Sequence, residues 1–259
     1  MEAGESPSAP GLLRGLTVPV AALVALAVAA AWYVTWATSD LSRALLAVPV
    51  GVSGAANLAA FFALMVVMMV AMMLPAALPM IVAYHGMTRL EAGRPTKPAD
   101  LVATALFVTP YWLVWGGFAV LALLGLVVLG LLGPLTGVLA LAPAVALLAA
   151  GAYQLTRTKD VCLSECESPM GFVMRHWRSG RGGAFRMGLR HAKYCVGCCW
   201  LFTIVLFVVG TTSLPWMGIV SFAIFAEKVG SNRFPVSRVI GAILLVFGGI
   251  LAVQFVVAG

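Results

Sequence analysis

Long apolar runs are the feature that most constrains the fold of this chain. A helix needs about 20 mainly apolar residues to cross a bilayer core about 30 Å thick. Apolar runs occupy residues 16–37, 58–83, 101–132, 135–155, 195–210, 212–226 and 239–258. The pattern predicts an all-α, polytopic transmembrane helical bundle of about seven spans. Five or six spans are the alternative, because the sixth run is short and could be re-entrant.

The scarcity of charge excludes a separate soluble domain. Charged residues make up 10% of the chain, against about 25% in a soluble domain, and the mean hydropathy is +1.05. Residues 1–13 are polar and contain two prolines. We therefore expect a disordered N-terminal tail at 1–13 and a single transmembrane domain at 14–259.

The basic residues indicate the orientation of the spans. If the seven predicted spans alternate in direction, 15 of the 16 Lys and Arg residues fall on the side of the N-terminus, and Arg43 falls on the other. Cytoplasmic loops carry an excess of Lys and Arg. The N-terminus is therefore predicted to be cytoplasmic, as is the basic, Cys-containing segment 156–194. This placement explains the net charge of +7, so no nucleic-acid partner is predicted.

Prolines and glycines within two of the runs predict irregular helices. Pro75 and Pro79 lie in the second run, and Pro110 and the Gly116-Gly117 pair lie in the third. Proline lacks a backbone N–H group and its ring clashes with the preceding turn. We expect the second span to kink or end there, and the third to be broken or tilted.

The cysteines form the clearest candidate site. All of them lie near one predicted membrane boundary: Cys162, Cys166, Cys195, Cys198 and Cys199. The last three are spaced i, i+3, i+4 and share one helical face, as do the first two at i, i+4. His191 joins the larger face if that helix starts a turn or two before residue 195. If the chain folds back, the thiolates and the imidazole could form a tetrahedral site for a soft metal.

Two other uses of these cysteines are open. A reducing cytoplasm disfavours structural disulfides and favours metal or redox chemistry. Cys195 and Cys198 could therefore be a Cys-x-x-Cys couple with a thiolate favoured by the basic flank. Alternatively, the cysteines are small residues that allow close packing between helices.

Methionines form a second candidate group, on the second run. Met65, Met68, Met69, Met72 and Met73 recur at i, i+3, i+4, i+7 and i+8. Thioethers are soft ligands that suit Cu(I), although methionine is also an adaptable packing residue. We select Met65, Met69, Met72 and Met73 as candidate transfer ligands. We call the five methionines the Met face.

Other polar residues near predicted span ends have simpler interpretations. Glu227 and Lys228 are predicted to be an exposed boundary pair, and His85 and His176 to be loop residues. Gln154 is expected to hydrogen-bond another helix. No arrangement typical of a catalytic site is present, so no catalytic residue is predicted.

Several motifs together resemble a known family. They are 68–75 (MMVAMMLP), 153–156 (YQLT) with Lys159, Cys162-x3-Cys166-x2-Pro169, 188–200 (GLRHAKYCVGCCW) and Glu227-Lys228. Over residues 58–230 the chain resembles an uncharacterised bacterial family described as predicted metal-binding integral membrane proteins. The resemblance implies that the cysteines and the Met face belong to one pattern, and that the protein is a multi-pass protein of the bacterial inner membrane. It implies no particular metal or reaction.

These patterns lead to one main functional hypothesis. The protein binds a soft transition metal, copper or else zinc, and transports it or delivers it to a membrane or soluble partner. The predicted metal ligands are Cys162, Cys166, Cys195, Cys198, Cys199, His191, Met65, Met69, Met72 and Met73. The alternatives are a thiol–disulfide or electron-transfer protein and a structural subunit of a membrane complex that holds zinc. Apart from the redox alternative, these patterns favour a protein that is not an enzyme.

Overall fold

The fold is built from long apolar helices. The computed structural model describes residues 9–41, 55–91, 94–95, 98–129, 137–210, 213–230 and 236–258. The helices are α1 (Ala9–Ala37), α2 (Ala55–Met87), α3 (Leu101–Val128), α4 (Ala142–Tyr153), α5 (Arg157–Glu167), α6 (Pro169–His176), α7 (Gly180–Gly210), α8 (Leu214–Val229) and α9 (Val236–Ala258). A 3-10 helix at Gly137–Leu141 precedes α4, and two short antiparallel strands, β1 (Leu90–Glu91) and β2 (Arg94–Pro95), lie between α2 and α3.

The described residues contain five or six possible spans. By length and composition, five helical segments could each cross a membrane: Val18–Ala37, Phe62–Met87, Leu101–Val128, Gly180–Val209 and Val236–Val257. A sixth span would combine Gly137–Tyr153 with α5, which are bent by 70° relative to each other. Helix α8 has only 16 residues, fewer than the roughly 20 that a span needs. The predicted all-α transmembrane bundle is confirmed, in its five- or six-span form.

The second and third predicted spans are continuous helices, so neither ends or breaks at its prolines; the alternatives of a kink in the second and a tilt in the third stay predictions. Helix α2 runs through Pro75 and Pro79 without ending, and α3 runs through Pro110. Two carbonyls just before Pro75 accept hydrogen bonds from neighbouring helices. Ser221 Oγ donates to Met72 O at 3.2 Å, and Tyr111 OH donates to Met73 O at 3.3 Å. These bonds tie α2 to α8 and α3 close to its prolines.

The basic segment 156–194 is helical and packs against the spans. It contains α5, α6 and the first half of α7, which begins at Gly180, 15 residues before the predicted start at residue 195. Thr156 caps α5 by accepting a hydrogen bond from Lys159 N at 3.3 Å. The basic side chains of α7 are exposed while Ala184, Met187 and Ala192 are buried. An amphipathic face of this kind can extend a membrane helix beyond its apolar part.

The predicted tail falls mainly outside the structure. Residues 1–8 lie outside the described residues, and α1 begins at Ala9. The disordered tail, the single domain at 14–259 and the cytoplasmic side of the N-terminus stay predictions.

The core lies between α2, α3, α5, α7 and α8. One cluster of buried side chains includes residues of all five helices. Helix α7 crosses α3 so closely that a Cβ atom on Gly188 would overlap the backbone of Phe107. In contrast, α1 and α9 lie at the periphery, with most of their side chains exposed. The fold therefore places the cysteine-bearing helices α5 and α7 in its interior.

Candidate metal centre

The two groups of cysteines meet where α5 packs on α7. The Cys166 thiol neighbours the Cys198 thiol at this contact. The Cys162 thiol lies against Gly197, where an added Cβ would be 2.7 Å from its sulfur. All the cysteines are free thiols, and every one except the half-buried Cys162 is buried. Gly197 therefore provides the space that lets α5 approach α7.

The three cysteines of α7 are held in two different ways. Cys198 Sγ and Cys199 Sγ both donate to Cys195 O, at 3.1 Å and 2.8 Å. This follows from the i, i+3, i+4 spacing, which places their side chains over the preceding turn. Cys195 Sγ instead donates to Tyr111 OH at 3.5 Å and accepts from Lys228 Nζ at 2.9 Å. Cys195 is therefore the thiol that meets a buried cation.

The Met face is buried against the cysteine-bearing helix. Met73 Sδ lies 3.9 Å from Cys199 Sγ, which joins the two predicted ligand groups directly. Met69 and Met65 lie about one and two turns from Met73 on α2, and Met72 is its neighbour. All four are buried in the same core cluster as the cysteines of α7. One methionine thus contacts a cysteine, and the others continue the face away from it.

His191 is buried beside the cysteines without a hydrogen-bond partner. Both ring nitrogens lack one among the described residues. The ring lies between those of Phe107 and Tyr111, with its centroid 6.0 Å from each. Tyr111 in turn contacts Cys195. A buried polar group without a partner is uncommon, and the free ring nitrogens leave the imidazole available to a ligand.

A buried ionic network next to the cysteines was not predicted. Glu227 Oε2 lies 2.6 Å from Lys159 Nζ, and Glu227 Oε1 accepts from Gln154 Nε2 at 2.5 Å. Lys159 Nζ also donates to the carbonyl oxygen of Cys198. The predicted interhelical hydrogen bond of Gln154 is confirmed, since Glu227 lies on α8. The network ties α4, α5, α7 and α8 together around the thiols.

The prediction of an exposed pair at Glu227 and Lys228 is wrong. Their exposed fractions are only 3% and 5%, because α8 packs its last turns against α5 and α7. His85 was expected in a loop, but it is buried in α2 and its Nδ1 is hydrogen-bonded to Thr104 Oγ1 at 2.8 Å. His176 lies at the end of α6 rather than in a loop. Charged residues are rare in apolar helices and often functional there. That rarity could have indicated that Glu227 and Lys228 are buried.

The donor groups do not form a closed tetrahedral site. Among the residues that the structure describes, which include every cysteine and histidine, no group of three or more His, Cys, Asp or Glu side chains is placed to hold one metal ion. The thiols do not converge because Cys198 Sγ and Cys199 Sγ bond to Cys195 O, whereas Cys195 Sγ contacts Tyr111 and Lys228. A structural zinc site with four such ligands is therefore not preformed in these residues. This absence concerns His, Cys, Asp and Glu side chains, and the Met73 thioether is a ligand of a different type.

Fold and site together define a polytopic helical membrane protein with a buried cluster of thiols and thioethers. A family model described as PpoB2, copper chaperone, matches residues 62–251. This segment spans most of the chain and contains the Met face and all the cysteines, and the chain belongs to this copper chaperone family. The resemblance to a metal-related membrane family is thereby confirmed. No curated protein and no solved structure matches the chain.

Proposed function

We propose that the protein binds Cu(I) in its buried sulfur cluster and delivers it to a partner protein. The carrying observation is the 3.9 Å separation between Cys199 Sγ and Met73 Sδ. With metal–sulfur bonds of about 2.3 Å, two sulfurs at this separation subtend roughly 115° at a shared ion. That angle is close to trigonal, so both side chains could bind one ion without helix movement.

The remaining ligands are proposed from their positions around this pair. Cys195 and Cys198 share a helical face with Cys199, and rotation about χ1 would bring either sulfur towards the ion. Cys166, which neighbours Cys198, extends the cluster onto α5. Sulfur donors favour Cu(I) over harder ions, and membership of a copper chaperone family supports copper over zinc.

We assign a transfer role to the outer members of the predicted ligand set. Met65, Met69 and Met72 would form a thioether route along α2 towards Met73. A thioether carries no charge, so it should hold Cu(I) less tightly than a thiolate and release it more readily. Cys162 would be the thiol at the edge of the cluster, since it alone among the cysteines is half-buried. The unpartnered imidazole of His191 would be an auxiliary ligand.

The redox alternative rests on a different contact. The Lys228 ammonium lies 2.9 Å from Cys195 Sγ and would favour a reactive thiolate there. If Cys195 and Cys198 act as a redox couple, Cys195→Ser abolishes thiol exchange and leaves copper binding through Cys199 intact. In the copper proposal, the helices lie in the bacterial inner membrane. The copper-receiving protein docks near the cysteines.

Copper titration of the purified protein tests the proposal. The full chain, reduced and in detergent, is titrated with Cu(I) against a chromophoric Cu(I) chelator. We expect one tightly bound Cu(I), and a loss of affinity of roughly tenfold or more in Met73→Leu and Cys199→Ser, because each removes a direct ligand. Met80→Leu is the matched control, because Met80 is a buried methionine of α2 in a different core cluster. Wild-type protein that takes up no Cu(I), or equal affinities for the Met73→Leu and Met80→Leu variants, would contradict the proposal.

A further inference from the structure

Lys228 is a buried cation whose described hydrogen bond is to a thiol. Its Nζ lies 2.9 Å from Cys195 Sγ, and the side chain is almost fully buried. The adjacent Glu227 does not neutralise it, because that carboxylate is engaged by Lys159 at 2.6 Å. Successive residues of a helix point about 100° apart, so Glu227 faces α5 while Lys228 faces α7.

The charges around the thiols can be summed from these contacts. Lys159 and Glu227 cancel each other, which leaves the positive charge of Lys228. An uncompensated charge in a protein interior is costly. The group next to this ammonium is a cysteine sulfur, so its natural counter-charge is a thiolate or a thiolate complex.

We propose that Lys228 is a specificity-determining residue, the counter-cation of the copper–thiolate complex. The inference rests on the proposed function above. Metal-bound cysteines are deprotonated, so one Cu(I) with two thiolates carries a single negative charge. The Lys228 ammonium cancels that charge, and the buried site becomes neutral.

The same sum of charges disfavours a divalent ion. A divalent ion with two thiolates is already neutral, so the charge of Lys228 would remain uncompensated. A third thiolate would restore neutrality, but no three Cys, His, Asp or Glu side chains converge on one point among the described residues. A third thiolate would therefore need one more side-chain rotation than the two-thiolate Cu(I) complex. Lys228 therefore sets a preference for monovalent over divalent soft ions, beyond the preference of the sulfur atoms themselves.

Metal competition with variants of Lys228 tests this role. The purified, reduced full chain is titrated with Cu(I), Ag(I) and Zn(II). The variants are Lys228→Met, which keeps the length and removes the charge, and Lys228→Arg, which keeps the charge. Lys193→Met is the matched control, since Lys193 is an exposed lysine of the same helix as the cysteines. Lys228→Gln is a second neutral variant, for use if the methionine variant does not fold.

The neutral variants should bind Cu(I) and Ag(I) roughly tenfold or more weakly, because they lose a buried partner charge. Their affinity for Zn(II) should be unchanged or higher, so the ratio of Cu(I) to Zn(II) affinity falls. Lys228→Arg and Lys193→Met should keep the wild-type ratio. Unchanged or tighter Cu(I) binding by the neutral variants would overturn the inference, since Lys228 would then be a spectator or a competitor for Cys195. A wild-type protein that binds no Cu(I) would instead refute the proposed function itself.

Discussion

The inner and outer spans are similarly apolar but differ strongly in the fraction of their residues that is buried. The segment of α7 that could span a membrane has a mean hydropathy of 2.0 with 50% of its residues buried, and that of α9 has 2.6 with 11% buried. Helices α2 and α1 show the same contrast, at 61% and 6% buried. Hydropathy therefore identifies a span without saying whether it faces lipid or protein. Side-chain chemistry separates the two classes better.

Among the described residues, the candidate metal ligands lie on the inner helices. Residues 239–258 of α9 and the Val18–Ala37 segment of α1 contain no charged residue. The inner helices carry the thiols, the Met face and a buried ionic network. Because ionisable groups are costly against lipid, their presence well inside an apolar helix marks the helices that face protein. The predictions below test this division, from the largest expected effect to the smallest.

Breaking the buried ion pair should cause the largest loss of stability. Lys159→Met leaves the Glu227 carboxylate buried without its cation, which should lower the free energy of unfolding by about 3–5 kcal/mol. Arg175→Met removes the half-exposed partner of Glu165 and should cost less than about 1 kcal/mol. Chemical unfolding in detergent measures both. The double variant Lys159→Met/Glu227→Gln should recover much of the loss. Equal losses in Lys159→Met and Arg175→Met would contradict the burial of the Lys159–Glu227 pair among the inner helices.

Truncating a leucine should separate an inner from an outer helix directly. Leu206 of α7 is 1% exposed, whereas Leu26 of α1 is 68% exposed. Leu206→Ala leaves a cavity and should cost about 2–4 kcal/mol of unfolding free energy. Leu26→Ala should change it by less than about 0.5 kcal/mol. Similar costs from the same unfolding measurement would mean that α1 is packed against protein in the detergent-solubilised state.

Two glycines of α7 sharpen the comparison within one helix. A Cβ at Gly188 meets the backbone of Phe107, while nothing lies within 4 Å of one at Gly182. Gly188→Ala should lower stability by about 1–3 kcal/mol through overpacking. Gly182→Ala should raise it by up to about 1 kcal/mol through helix propensity. Thermal unfolding of the two variants should therefore shift in opposite directions, and a shift in the same direction would refute the close α3–α7 crossing.

Local patterns were enough to predict most of the spans and the two sulfur groups, although the run at 212–226 is the short helix α8 rather than a span. The i, i+3, i+4 spacings correctly placed Cys195, Cys198 and Cys199 on one helical face, because a helix fixes such relations within a turn. The extent of α7 was missed because the basic residues before Cys195 resembled a loop. Their exposed side chains sit on the polar face of a helix that buries Ala184 and Met187.

Contacts between distant helices were beyond the sequence patterns. The ion pair of Lys159 with Glu227 joins residues 68 positions apart, and the contact of Cys199 with Met73 joins residues 126 positions apart. No periodicity encodes these distances, which depend on how α5, α7 and α8 pack. The burial of Lys228 beside Cys195 likewise follows from that packing.

Copper X-ray absorption of the Cu(I)-loaded, reduced protein tests the central claim most directly. A shared site at Cys199 and Met73 predicts a shell dominated by sulfur atoms, at roughly 2.3 Å from copper, with at most one nitrogen from His191. Met73→Leu should lose one sulfur from that shell, and Met80→Leu should lose none. A shell dominated by nitrogen or oxygen, or a shell unchanged in both Met73→Leu and Cys199→Ser, would contradict it.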